Sequence, residues 1–243
     1  MTPLPDLNWP RTDPFDVLLP LQKNLCWADK RFSCSEQRND VRPVPQSLSG
    51  VAAMLLAIDI GNTHTVLGTF SGENLLAYWR IATDRQRTAD EYGVLILQLI
   101  GNSGLDPAAI DGVAIACVVP PALQTFITAA RHYLNCEPVV ASTQNRSGVQ
   151  IRYNPPHAVG ADRVANAVAA MNKYRLPAIV VDLGTAITFD VISKDAEYLG
   201  GAITPGVNIS LEALSARAAK LPRIELRCPA TAIGTTTEES MQS

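Results

Sequence analysis

Charge of one sign is what this chain most lacks: 20 Lys and Arg against 23 Asp and Glu leave a formal net charge of −3. With no basic stripe there is no electrostatic footprint for a phosphate backbone, which argues against nucleic acid as the main partner. Nor is there an apolar run long enough to cross a bilayer. The longest, residues 51–58, stops at Asp59, and the first residues lack the charged and apolar regions of a secretory signal, so no membrane partner is expected. Cysteine is scarce and scattered: Cys26, Cys34, Cys117, Cys136 and Cys228 form no Cys-x-x-Cys pair, which reads as free thiols in a cytoplasmic protein. The three histidines lie far apart and show no metal-ligand spacing. Aromatic residues make up only 6%, yet a hydrophobic content of 47% over 243 residues suffices for one large core or two small ones.

What is present is a repeated turn. Residues 55–70 hold two apolar runs joined by Asp59-Ile60-Gly61-Asn62-Thr63-His64-Thr65-Val66, which reads as a β-hairpin with a polar tip. Gly61 is expected to supply the positive φ of a tight turn, and exposed backbone N–H groups there would bind phosphate oxygens. Asp59, ending the first strand, would hold Mg²⁺ through water beside them. Residues 178–192 repeat the order: apolar strand, Asp182-Leu183-Gly184-Thr185, then a β-branched strand. Asp59 matches Asp182, Gly61 matches Gly184 and Thr65 matches Thr188. A repeat at domain spacing implies a duplicated fold whose two hairpins face one cleft, a geometry suited to a nucleoside triphosphate.

The rest of the chain reads as an α/β fold with a mixed sheet. Residues 1–53 are rich in Pro, Asp, Arg, Ser and Gln and lack sustained periodicity, so they read as a disordered or extraneous extension before a natural start at Met54. Residues 74–82 are expected as a third strand. Thr88-Ala89-Asp90-Glu91 is a capping box opening a helix whose apolar face is Tyr92, Leu95, Ile96, Leu99 and Ile100. Strands follow over 112–119 and 138–141, the first stopped by Pro120-Pro121, and helices over 122–134, 161–174 and 208–219. Gly200-Gly201 and Pro205-Gly206 mark turns, or let the backbone approach a ligand; 224–226 reads as a short strand and 234–241 as the start of an uncapped helix.

Chemistry concentrates at Gly160-Ala161-Asp162-Arg163, an acid and a base at a helix N-terminus. Asp162 complements the helix dipole, or accepts a hydroxyl proton; Arg163 is solvated, or binds an anionic group. Thr237 either helps start a helix or orients substrate, and Tyr153 either fills the core or covers a substrate.

With the two Asp-x-Gly hairpins, Thr88-Ala89-Asp90-Glu91-Tyr92, Gly160-Ala161-Asp162-Arg163, Gly200-Gly201-Ala202-Ile203-Thr204-Pro205-Gly206 and Gly234-x-x-Thr237 in this order, residues 54–243 resemble type III pantothenate kinase. The resemblance implies a duplicated ribonuclease-H-like (actin-like ATPase) fold with mixed sheets. It places one domain at 54–158 and a second at 159–243, incomplete at the C-terminus, in a cytoplasmic homodimer. It implies transfer of the ATP γ-phosphoryl group to pantothenate, the first step of coenzyme A biosynthesis, with Mg²⁺ and a monovalent cation (K⁺ or NH₄⁺). Asp162 is then similar to the proton acceptor. Asp59, Ile60, Gly61, Asn62, Thr63, His64, Thr65 and Val66 resemble the first phosphate loop, and Thr185 an ATP contact. Tyr153, Gly160, Ala161, Asp162, Arg163 and Thr237 resemble pantothenate contacts, and Asp182 the monovalent-cation ligand. Family members continue beyond the position of Ser243, so an incomplete layer, exposed apolar faces and poor ATP binding or low stability are expected. The competing readings are a kinase of the same fold acting on another small acceptor and a non-catalytic nucleotide-binding or regulatory module.

Overall fold

The structure, a computed structural model, describes residues 53–141, 149–229 and 231–243. The extension expected over residues 1–53 lies outside them but for Ala53. The first sheet is built from β1 (Met54–Ile60), β2 (His64–Ser71), β3 (Asn74–Ala82), β4 (Ile110–Cys117) and β5 (Val139–Val140). Its order is β3-β2-β1-β4-β5, with β1 to β3 antiparallel and β4 and β5 parallel to β1, the strand order of a ribonuclease-H-like domain. β1 and β4 are near-continuous apolar runs because helices cover them.

Those helices are α1 (Ala89–Asn102) and α2 (Pro120–Leu134). The Thr88 capping box forms as expected: its side chain takes the Glu91 N–H, and Glu91 returns to the Thr88 N–H at 2.7 Å. Tyr92, Ile96 and Ile100 bury one face of α1 against Phe126, Ala130 and the β1 and β4 side chains. Pro120 and Pro121 do more than stop a strand. They are the first residues of α2, where a missing N–H costs nothing and a fixed φ suits the helix.

The second sheet holds β6 (Gln150–Ile151), β7 (Ala178–Leu183), β8 (Ala186–Ile192) and β9 (Glu197–Pro205) in the order β6-β9-β8-β7. β7, β8 and β9 repeat the antiparallel meander of β1, β2 and β3. The repeat is closest at the start of each hairpin. The second turn is one residue shorter, so Asp182 pairs with Thr188 where Asp59 pairs with Val66, and Thr188 rather than matching Thr65 stands in the register of Val66. Among the described residues β7 is an edge, whereas its counterpart β1 is flanked by β4.

Helix α3 (Ala161–Lys173) joins the two sheets. Val164, Ala165, Ala167, Val168 and Ala170 share a core with Ala57, Phe70 and Ala116 of the first sheet and with Ile192 and Tyr198 of the second. Small side chains let both sheets approach one helix. On the far face of the second sheet Ile179 (66% exposed), Val181 (41%) and Leu183 (53%) stand open, and α4 (Val207–Arg217) buries none of its residues.

Five expectations are corrected. β9 runs straight through Gly200-Gly201: no turn forms, and Gly200 instead takes φ +120 beside a register shift at Val191/Ile192. Gly61 is not in the left-handed region; it is needed for room, since a Cβ would lie 2.9 Å from the His64 carbonyl that accepts its N–H. Residues 224–226 form no strand: among the described residues no ladder includes them. The helix after Gly234, α5 (Thr237–Gln242), is capped, with Thr236 accepting from the Glu239 N–H. The thiol expectation holds for Cys117 and Cys136 and fails for Cys228, which is disulfide-bonded; spacing alone does not show which cysteines a fold brings together.

Candidate active site

Three carboxylates meet where the hairpins face α3. Asp59 is the penultimate residue of β1 and Asp182 that of β7, so both side chains sit at strand ends beside a turn. Asp162 lies in the first turn of α3, the positive end of a helix dipole, and accepts the Arg163 N–H at 2.8 Å. Burial, then the nearby charges of Asp162 and Asp182, push the Asp59 carboxyl up to about 7. Burial raises Asp162 as well; the Arg163 N–H pulls it back, while Asp182 and Asp190 add repulsion. Asp182 is raised by burial, against the hydrogen bond of 3.2 Å that it accepts from the Asn166 amide. A cleft that crowds negative charge in this way is built for a cation or for a proton.

The two turns touch. Thr63 Oγ1 and Thr185 Oγ1 are 3.0 Å apart across the gap between the sheets. The first turn is braced from behind by Thr83, whose hydroxyl donates to the Gly61 carbonyl at 2.7 Å and lies 2.8 Å from Thr65 Oγ1, and whose N–H donates to the Thr63 carbonyl. Ile60, Thr65 and Val66 are buried, so only their backbone can meet a ligand, whereas Asn62, Thr63 and His64 are exposed at the tip. In the second turn the Gly184 N–H donates to the Ala186 carbonyl, and Gly206 packs so closely that a Cβ would fall 2.3 Å from the Gly184 carbonyl.

At the other end of Asp162 lies an aromatic corner. Tyr153, half-buried before α3, has its ring 6.4 Å from that of Tyr198. Gly160 caps α3 with no room to spare: a Cβ would meet Asp162 Oδ1 at 2.4 Å. Arg163, read from sequence as solvated or anion-binding, is buried, and its Nε donates to Asp190 Oδ1 at 2.7 Å. Burial works against its charge and the Asp190 contact outweighs it. Thus Asp59, Asp162 and Asp182 converge, with Tyr153, Gly160, Ala161 and Arg163 adjoining. Thr237 is not drawn in; it is exposed at the start of α5, a helix with no buried residue.

Sequence reasoning missed Thr83, Asn166, Asp190 and Tyr198. Two of these had a signal. Asn166 is four residues after Asp162, hence on the same helix face, and Asp190 is a charge inside an otherwise apolar strand, two residues from Thr188.

Metal fit can be judged from the donors. Among the described residues no group of three or more His, Cys, Asp or Glu side chains is close enough to cage an ion. Separate carboxylates at two strand ends, one with its carboxyl raised to about 7, instead fit a hydrated cation shared with phosphate oxygens, the usual mode for Mg²⁺.

Paired Asp-x-Gly hairpins from two like meanders, closing on a helix-borne carboxylate, define a nucleotide-dependent phosphotransferase of the actin-like ATPase class. The comparisons narrow the class. The sequence profile of type III pantothenate kinase matches residues 55–243, and the chain belongs to that family. It is similar to the type III pantothenate kinase of Moorella thermoacetica (strain ATCC 39073 / JCM 9320), 52% identical over 190 residues that cover 78% of this chain and 75% of that protein. Its likeness to the type III pantothenate kinase of Anaeromyxobacter sp. (strain Fw109-5) is 50% over the same coverage. With that of Myxococcus xanthus (strain DK1622) it is 47% identical, over 78% of this chain and 74% of the relative.

Proposed function

We propose that this chain transfers the γ-phosphoryl group of ATP to the terminal hydroxyl of pantothenate, giving 4′-phosphopantothenate and ADP in the first step of coenzyme A biosynthesis. The observation that carries this reading is the placement of Asp162 on α3 between the Asp59 and Asp182 turns, whose tips meet at Thr63 and Thr185. The triphosphate lies between the turns, its oxygens taken by backbone N–H groups at the exposed tip of the first turn, Asn62 and Thr63, and by Thr185. Asp59 would hold Mg²⁺ and Asp182 a monovalent cation, which when bound would supply positive charge beside the phosphate oxygens. Asp162 takes the hydroxyl proton as the acceptor oxygen bonds to phosphorus and the bond to the β–γ bridging oxygen breaks. The transition state is loose, so a carboxylate in the right place suffices as base.

Tyr153, Gly160, Ala161 and Arg163 line the acceptor end; Thr237 is assigned to it by resemblance alone. The same resemblance supports two lobes at 54–158 and 159–243, a homodimer, checked by sedimentation, and a cytoplasmic setting. Among the described residues no helix is long and apolar enough to cross a membrane.

Asp162→Asn tests the mechanism. Phosphopantothenate formation should fall by about 10²–10⁴-fold with ATP binding retained. A folded, ATP-binding wild-type chain that phosphorylates another acceptor and leaves pantothenate untouched would replace the substrate; one that transfers to no acceptor would point to a regulatory module.

A further inference from the structure

The cleft gathers negative charge, and the ligand assigned to it carries more. Asp59, Asp162 and Asp182 converge there, while neither residues 59–66 nor residues 182–188 contain a lysine or an arginine. Arg163, next to Asp162 along the chain, is already paired with Asp190 at 2.6 Å. A polyphosphate entering between the turns therefore meets side chains that repel it.

A positive side chain reaches the first turn from outside it. Arg85, exposed in the loop between β3 and α1, donates from Nη2 to Asn62 Oδ1 at 3.3 Å. The loop that carries it is fixed on both sides. Thr83 bonds to the Gly61 and Thr63 carbonyls, the Asp84 N–H donates to the Tyr92 hydroxyl at 2.9 Å, and that hydroxyl donates back to the Asp84 carbonyl at 2.9 Å. The Gln86 N–H donates to Asp84 Oδ1. Tyr92 is fully buried, so the loop cannot drift without disturbing the core under α1.

The two arginines of this loop are held differently. Arg87 lies over the Tyr92 ring, its guanidinium carbon 5.3 Å from the ring centre. Arg85 has a neutral amide as acceptor, at a length beyond the usual range, and among the described residues no carboxylate pairs with it. A guanidinium held by one long bond to a neutral oxygen leaves its charge uncompensated, and its planar fork matches two phosphate oxygens.

We propose that Arg85 is a nucleotide-binding residue that turns from Asn62 to grip phosphate oxygens of the triphosphate at the tip of the first turn. This rests on the ATP-dependent reading above and adds a contact from outside both hairpins. The Asn62 amide keeps the guanidinium beside the turn until the nucleotide arrives. Asn62 is at the exposed tip and Asp162 is in the first turn of α3, so Arg85 serves binding of the nucleotide and takes no part in the proton transfer.

Titration calorimetry of the full chain with ATP and with ADP tests this on wild type, Arg85→Gln, Arg85→Lys and Arg87→Gln. Arg85→Gln should weaken both nucleotides about tenfold. Arg85→Lys keeps the charge without the fork and should weaken them about threefold. Arg87→Gln removes the same charge two residues away and should leave both within about twofold. In turnover, KM for ATP should rise in the Arg85 variants while kcat stays within about twofold, as expected when binding alone is lost. Equal losses in Arg85→Gln and Arg87→Gln would reduce the effect to the general field of the loop and overturn the contact. Unchanged nucleotide affinity in Arg85→Gln would overturn it too, and either result leaves the ATP-dependent reading intact. A folded wild type that binds neither nucleotide would overturn that reading and this inference with it.

Discussion

Asp59 ties function to stability through one proton. Its ordinary value is 3.8 and the folded chain raises it to about 7, so between those values the native state binds a proton that the unfolded state has lost. Stability from this group is greatest below about pH 4 and is lost as pH climbs to about 7. Asn at this position carries no such cost. Asp59→Asn should therefore melt higher than wild type at about pH 8 in nucleotide-free, chelated buffer, by at most about 4 kcal/mol, with the gap closing toward pH 4. The same variant should lose phosphoryl transfer, because the group proposed to anchor the cation is gone. Scanning calorimetry across that pH range checks it, and an Asn variant no more stable than wild type at the alkaline end would refute it. Asp59, Asp162 and Asp182 were legible because a carboxylate beside glycine in an apolar setting is a local signal. The pairing of Arg163 with Asp190 was not, since two residues 27 apart along the chain meet only after β8 packs on α3.

At the scale of elements, the second meander depends on β9 passing close to β8. Gly201 stands opposite Asp190, and a Cβ there would lie 1.6 Å from the Phe189 carbonyl oxygen. The obstacle is backbone, so no side chain can swing away. Gly201→Ala should cost on the order of 3 kcal/mol, the upper range for overpacking, and lower Tm by roughly 6–12 °C. Because Asp190 lies across the ladder, turnover should fall with it; an alanine variant as stable and active as wild type would mean that β9 has slack this geometry denies. The glycine pair shows why such strands are hard to read ahead of a structure. Gly-Gly is the common mark of a turn, and its use for close backbone approach depends on which strand lies opposite, a non-local fact. Helix starts were easier: the Thr88 box satisfies orphan N–H groups with residues three apart, so the evidence is contained in the segment. Pro120-Pro121 shows the intermediate case, a true boundary whose far side belonged to the helix. Residues 224–226 have β-branched and apolar character but, among the described residues, no strand paired with them, and composition cannot supply a neighbour.

Taken whole, the molecule is unevenly buried. The first sheet is covered by α1 and α2 on one face and by α3 on the other, and Leu56, Ile58 and Ile115 are fully inaccessible. The second sheet shares α3 on one face through Val180, Ile192 and Tyr198 but leaves Ile179, Val181 and Leu183 open on the other. Local opening free energy follows buried apolar contact, so the two sheets should not exchange amide protons alike. In native-state hydrogen exchange, β1 and β4 should be the slowest amides and β7 should exchange faster, most of all along its unpaired edge. ATP with Mg²⁺ should then slow β7 and β8 more than β1 and β4. Ligand binding stabilises whichever state it selects, and only a closed pair of turns presents Thr63 and Thr185 to one triphosphate. The order matters for the proposed function: the weaker sheet carries Asp182 and Thr185, the proposed cation and nucleotide contacts, which would make nucleotide binding and the ordering of that sheet one equilibrium. Uniform protection across both sheets, unchanged by nucleotide, would show that the open face costs nothing and that the cleft is already rigid without its ligand.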